Sequence, residues 1–136
     1  MDFILNPSII ENNAVVVTGS GKARELKSVP YQVVQLSGKE LFQTTSTNII
    51  DAISQKAGIS SLSSGPSVSK PVIRGMGYNR VLTIHDGVRQ EGQQWGDEHG
   101  IEIDDANISK IEILKGPASL VYGSDAMAGV IHILSN

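Results

Sequence analysis

Apolar positions fall into short runs set between polar and glycine-rich stretches, and the spacing within each run predicts its element. Ala14-Val15-Val16-Val17-Thr18 is β-branched and reads as a strand, ended by a flexible joint at Gly19-Ser20-Gly21-Lys22. Residues 29–36 are strand-like, with Pro30 near the start, where a missing N–H does least harm. Ser37-Gly38-Lys39-Glu40 has capping-box spacing and predicts a short helix. Thr47 or Asn48 caps a second helix, on which Ile49, Ile50, Ile53 and Ala57 share a face and Gly58 supplies the stop. Residues 60–69 hold six serines, a glycine and a proline and read as a loop.

Residues 81–85 form a strand that turns at Asp86-Gly87 into Val88-Arg89, a hairpin signal. Residues 91–100 are polar around Trp95 and read as a long loop, and 101–103 as a brief strand. Residues 108–114 alternate, with Ile111 and Ile113 on one face and Lys110, Glu112 and Leu114 on the other. Gly116-Pro117 opens a helical turn that Gly123 closes, and residues 130–134 form a last, mostly apolar strand. Short strands and short helices mix without regular β–α alternation and without an internal repeat, which places the chain in the α+β class.

Composition narrows the choices. At 136 residues the chain fits one domain, and 40% hydrophobic residues with 18% charged ones argue against a wholly disordered chain. A net charge of -3 disfavours phosphate-driven nucleic-acid binding, so no nucleic-acid partner is expected. With no cysteine there are no disulfides, thiolate metal sites or cysteine nucleophiles. No apolar run is long enough for a transmembrane helix, and the chain is too short to supply a complete membrane barrel alongside its loops. The first seven residues lack the basic and apolar regions of a signal peptide, so the chain reads as cytoplasmic or as a piece of a longer, processed protein.

Candidate chemistry is sparse. Gly19-Ser20-Gly21-Lys22 lacks the upstream glycine of a phosphate loop and has Ala23 where a magnesium-binding hydroxyl belongs. In Gly75-Met76-Gly77-Tyr78-Asn79-Arg80, Arg80 stands where a dinucleotide site needs a third glycine. Ser124 lacks the second glycine of a nucleophile elbow. His85 and His132 lie in predicted strands and read as hydrogen-bonded structural residues. The chain is therefore expected to be no enzyme and to carry no cofactor. Asp97, Glu98 and His99 offer oxygen and imidazole ligands suited to zinc or another divalent ion, yet consecutive residues seldom all reach one metal, and no metal site is expected. Trp95 is a large aromatic on a polar loop, either a contact residue or one packed onto its own domain. Val15–Val17 is either a core strand or a strand offered to a partner for β-augmentation.

Ile108-Ser109-Lys110-Ile111-Glu112-Ile113-Leu114-Lys115-Gly116-Pro117-Ala118-Ser119-Leu120-Val121-Tyr122-Gly123 resembles a hallmark of the plug domain of TonB-dependent outer-membrane receptors. Gln94-Trp95-Gly96-Asp97-Glu98-His99-Gly100-Ile101-Glu102-Ile103-Asp104 is similar to a form found in receptors of the Bacteroidetes type. Val72-Ile73-Arg74-Gly75-Met76-Gly77 and Arg80-Val81-Leu82-Thr83-Ile84-His85-Asp86-Gly87-Val88 resemble that family's two other recurrent stretches, in the expected order. Ala128 and His132 stand where glycine and asparagine are more usual in it.

The resemblance implies a small mixed four- to five-stranded sheet with short helices and long apical loops, lodged inside a 22-stranded barrel. It divides the chain into an N-terminal periplasmic segment, 1–28, and a plug domain, 29–136; the chain then ends where a first barrel strand is expected. The implied partners are the receptor's own C-terminal β-barrel, the periplasmic protein TonB and a small-molecule or metal-chelate ligand, with the outer membrane as location. Ala14, Val15, Val16, Val17 and Thr18 resemble the TonB box, although Asn12 and Asn13 replace an acidic residue often found ahead of it. Apical ligand contacts fall on residues 63–69 and 90–100, among them Gln93, Gln94, Trp95, Asp97, Glu98 and His99. Arg74 and Glu112 are expected to contact charged groups of the barrel wall. The alternative is a stand-alone periplasmic or surface binding module without a barrel.

Overall fold

The computed structural model describes the backbone at residues 15–16 and 24–25, and residues 32–46, 48–65, 68–90, 103, 105–116 and 122–136. Nine strands and two α-helices are defined among them. β1 (Val15–Val16) pairs antiparallel with β2 (Arg24–Glu25). β3 (Val33–Ser37) leads into α1 (Gly38–Gln43) and α2 (Ile49–Ser54). β4 (Ile59–Gly65) and β5 (Val68–Ile73) form a hairpin, β6 (Val81–His85) and β7 (Val88–Arg89) a second, and β8 (Ile108–Lys115) and β9 (Gly129–Ser135) complete the chain. One five-stranded mixed sheet runs β3-β8-β9-β6-β7, antiparallel except where β9 lies parallel to β6.

Local chemistry sets the helices. The Ser37 hydroxyl accepts from Glu40 N–H and the Glu40 carboxylate accepts from Ser37 N–H, so both halves of the capping box form. That N–H holds the Glu40 carboxyl below its usual range. Asn48 caps α2 by accepting from Asp51 N–H. α2 ends sooner than its periodicity suggests. Its last turn tightens through Gln55 and Lys56, Ala57 is exposed, and Ala52 takes the buried place beside Ile49, Ile50 and Ile53. Gly58, at φ +77, turns the chain into β4.

Residues 60–65 and 68–69 are paired strands rather than a loop. Serine has little strand preference, but a strand that is mostly solvent-facing needs backbone pairing more than side-chain burial, and Ile59↔Ile73 and Leu62↔Lys70 set the register. In a two-stranded ribbon Pro71 sits where its missing N–H breaks no inner ladder. Arg74 and Gly75, both at positive φ, make a tight turn closed by Ile73 and Met76, and Asp86–Gly87 makes another, as its sequence predicts. Gly123 leads into a 3₁₀ turn (Ser124–Ala126), and residues 117–121 of the expected helical turn lie outside the described residues. Ile103 packs against the core outside any strand; residues 101–102 lie outside the described residues.

The sheet is covered on both faces. On one, Leu36, Ile111, Ile113, Ile131, Ile133 and Val81 pack with α2 and with Ile59 and Ile73 of the hairpin. On the other, Leu82, Ile84, Leu114 and Val130 meet Ala126, Val33 and Tyr122. β9 approaches so closely at Gly129 that an added Cβ would lie 2.6 Å from the Leu114 carbonyl oxygen and 2.8 Å from Ile73 Cδ1. Gly129→Ala is expected to lower unfolding stability by about 2 kcal/mol in urea titration. Thr83 Oγ1 is buried with no hydrogen-bond partner among the described residues, and Thr83→Val is expected to raise stability by about 1 kcal/mol in the same assay.

Candidate functional site

Two polar clusters stand out on this frame. The first is basic and sits where β3 begins and β5 and β8 end. Arg74 takes the left-handed conformation at φ 52, a region that costs a non-glycine residue on the order of 1 kcal/mol, and its backbone N–H donates to Gly58 O at 3.1 Å. Its guanidinium donates to Gln32 Oε1 at 3.4 Å and lies against Gly116, where a Cβ would meet Nη1 at 3.1 Å. Lys115, buried, sends Nζ to the Ala57 carbonyl oxygen. Burial pushes the Lys115 ammonium below its usual range and the Arg74 charge adds to this. Among the described residues neither cation has a carboxylate partner. With Gln32, Val33, Val34, Ala57 and Gly58 they line a cleft of about 560 Å³, an arrangement that attracts an anion.

The second cluster is sealed inside the other sheet face. Glu112 is 0% exposed, and Oε1 accepts from Lys110 Nζ at 2.8 Å and from Gln35 Nε2 at 3.2 Å. Its expected contact with a barrel wall therefore needs correction, because its carboxylate turns into the sheet and is spent on neighbours of β3 and β8. Lys115, which sequence reasoning did not single out, takes its place beside Arg74. The signal was present: Lys115 lies two residues beyond Ile113 on the strand's period-2 face and directly before a glycine. His132 and His85 are structural, as expected: His132 Nε2 accepts from Gly87 N–H at 3.2 Å, and His85 Nε2 lies 3.0 Å from Ser135 Oγ.

The other expected site residues are only partly placed. The backbone of Val15 and Val16 is a strand, with one edge taken by Arg24–Glu25; Ala14, Val17 and Thr18 lie outside the described residues. So do Gln93, Gln94, Trp95, Asp97, Glu98 and His99. No cluster of three metal-ligating side chains occurs among the described residues, and no helix among them is long and apolar enough to cross a membrane.

The chain matches the TonB-dependent receptor plug domain over residues 25–130, and it belongs to that family. It is 37% identical over 120 residues to a hemin receptor of Yersinia pestis, covering 88% of this chain and 18% of the receptor. It is 35% identical over 126 residues to the vitamin B12 transporter BtuB of Vibrio vulnificus, covering 91% of this chain and 21% of BtuB. The chain thus spans about a fifth of the length of these relatives. In fold it is similar to Pseudomonas aeruginosa FpvA, solved with a ferric pyoverdine, at a TM-score of 0.75 and 19% identity over 90% of this chain and 16% of that one.

Removing the buried carboxylate tests the second cluster. Glu112→Ala is expected to cost about 2 kcal/mol in chemical unfolding, because it removes a fully buried carboxylate bonded to Lys110 and Gln35; a loss under about 1 kcal/mol would show that these bonds contribute little to stability.

Proposed function

We propose that the chain gates the uptake of a scarce small-molecule or metal-chelate ligand through a β-barrel in the outer membrane. The reading rests on the plug-family match over residues 25–130. Hemin, vitamin B12 and ferric pyoverdine, named for the relatives and the structural neighbour, mark the ligand class. The action is mechanical rather than catalytic. Ligand binds at the apices, with residues 93–99 and Trp95 among the contacts, and its differential affinity shifts the N-terminal segment toward a state that TonB can bind. Residues 14–18 serve as the TonB box within an N-terminal segment, 1–28, that precedes the plug, and TonB adds a strand to Val15–Val16. The partners are then a barrel, TonB and the ligand. In the barrel, the positive charges of Arg74 and Lys115, which have no carboxylate partner among the described residues, suit carboxylates of the surrounding wall.

Val16→Pro removes a mid-strand N–H and is expected to abolish TonB capture while leaving ligand affinity within about twofold. Equal capture by the variant rejects residues 14–18 as the box. A screen of hemin, vitamin B12 and ferric pyoverdine on the full-length receptor identifies the ligand. For whichever binds, Trp95→Ala is expected to raise the dissociation constant about tenfold or more, and an unchanged constant returns Trp95 to packing.

A further inference from the structure

His132 stands midway along β9, in register with Ile84 of β6 on one side and Glu112 of β8 on the other. The side chain is buried, and Nε2 accepts the Gly87 N–H, so the ring proton lies on Nδ1 and the imidazole is neutral. Gly87 is the second residue of the Asp86–Gly87 turn, from which β7 leads into Gln90 and the long segment beyond. Asp86 ties the turn as well: its N–H donates to Ile133 O at 2.9 Å, and its Oδ1 accepts from Ser135 N–H at 2.8 Å, while β7 is held to β6 by the Ile84↔Arg89 and His85↔Val88 pairs and by Gln90 N–H donating to Thr83 O at 3.0 Å. The bond from Ser135 N–H holds the Asp86 carboxyl below its usual range, so it stays ionised in mild acid.

We propose that His132 is an acid-sensitive latch on the β6–β7 turn, holding Gly87 while neutral and releasing it when protonated. Protonation places N–H groups on both ring nitrogens, and the Gly87 N–H then faces a donor instead of an acceptor. Charged groups face the ring from each neighbouring strand: Glu112 and Lys110 on β8, His85 on β6 and Asp86 in its turn. Arg89 on β7 is bound to Asp125, and Gln35 on β3 is neutral. Burial outweighs the attraction of Glu112 and Asp86 and pushes His132 below the usual histidine range. A folded-state value below the unfolded one favours the closed turn above about pH 6.5; that preference is lost as pH falls from there toward the folded value. The Asp86 ties and the β6–β7 pairing persist, so the opening is confined to Gly87 at the tip of the turn.

The test is amide hydrogen exchange, resolved to single residues and corrected for intrinsic rates, on the full-length protein at pH 6.5 and 5.5. Wild type is compared with His132→Gln, whose side-chain oxygen accepts at similar reach and does not titrate. In the wild type, Gly87 protection is expected to fall up to tenfold over that step, within the tenfold per pH unit that a single titrating group permits, while Asp86 N–H stays protected. In the variant, Gly87 is expected to change less than twofold. An equal acid response in both proteins, or none in the wild type, overturns the latch. Should His132→Gln not fold, the exchange rate of the His132 C2 proton in the wild type decides: an apparent pKa below about 6.5 supports the latch, and one above it overturns it.

Discussion

The fold depends on burying β8 and β9 from both sides at once. Ile111, Ile113, Ile131 and Ile133 face α2 and the β4–β5 hairpin, while Leu114 and Val130 face the opposite cluster. A sheet covered on both faces has no solvent side on which to place charges, so an ionisable side chain on its central strands is paired within the sheet or placed at its rim, while Thr83 leaves its hydroxyl without a partner among the described residues. Glu112 and His132 follow the first course and Lys115 the second. In this chain the buried groups bind neighbouring strands and tie a turn: Glu112 to Lys110 and Gln35, and His132 to Gly87.

The periphery has the opposite character. Phe42, Leu62, Tyr78, Val88 and Met127 are large apolar residues at the surface, with Phe42 68% and Val88 64% exposed. Arg74 and Lys115 present two neighbouring positive charges without a carboxylate among the described residues, one in a strained backbone conformation and the other substantially desolvated. Charges so placed cost stability in the chain alone and gain it from an anionic wall. The proposed barrel would answer both features, the exposed apolar residues and the cations without a carboxylate partner among the described residues.

Much of the architecture was legible in the sequence because it is set locally. The capping box at Ser37, the cap at Asn48 and the Asp86–Gly87 turn are chemical signals a few residues long, and each forms as expected. Alternation placed Ile111 and Ile113 opposite Leu114 correctly. The misreadings share a cause in tertiary context. Six serines between 60 and 69 suggest a loop until β5 offers a pairing edge. Alternation puts Glu112 on a second face without saying whether that face is covered within the chain, and here it is. Lys115 gains its role only from Arg74, forty-one positions earlier in the chain, which spacing cannot relate to it.

The central claim is that a surrounding wall finishes the apolar rim and the basic cleft. Residues 1–136 contain no cysteine, so with any cysteine elsewhere in the full-length protein replaced by serine, single thiols at Val88 and Met127 report their surroundings directly. Reaction of Val88→Cys and Met127→Cys with a bulky maleimide, in the full-length protein held in outer membranes, measures that claim. The account predicts labelling at least tenfold slower than after the protein is unfolded in urea. Labelling at the same rate in both states would show these side chains open to solvent and contradict it.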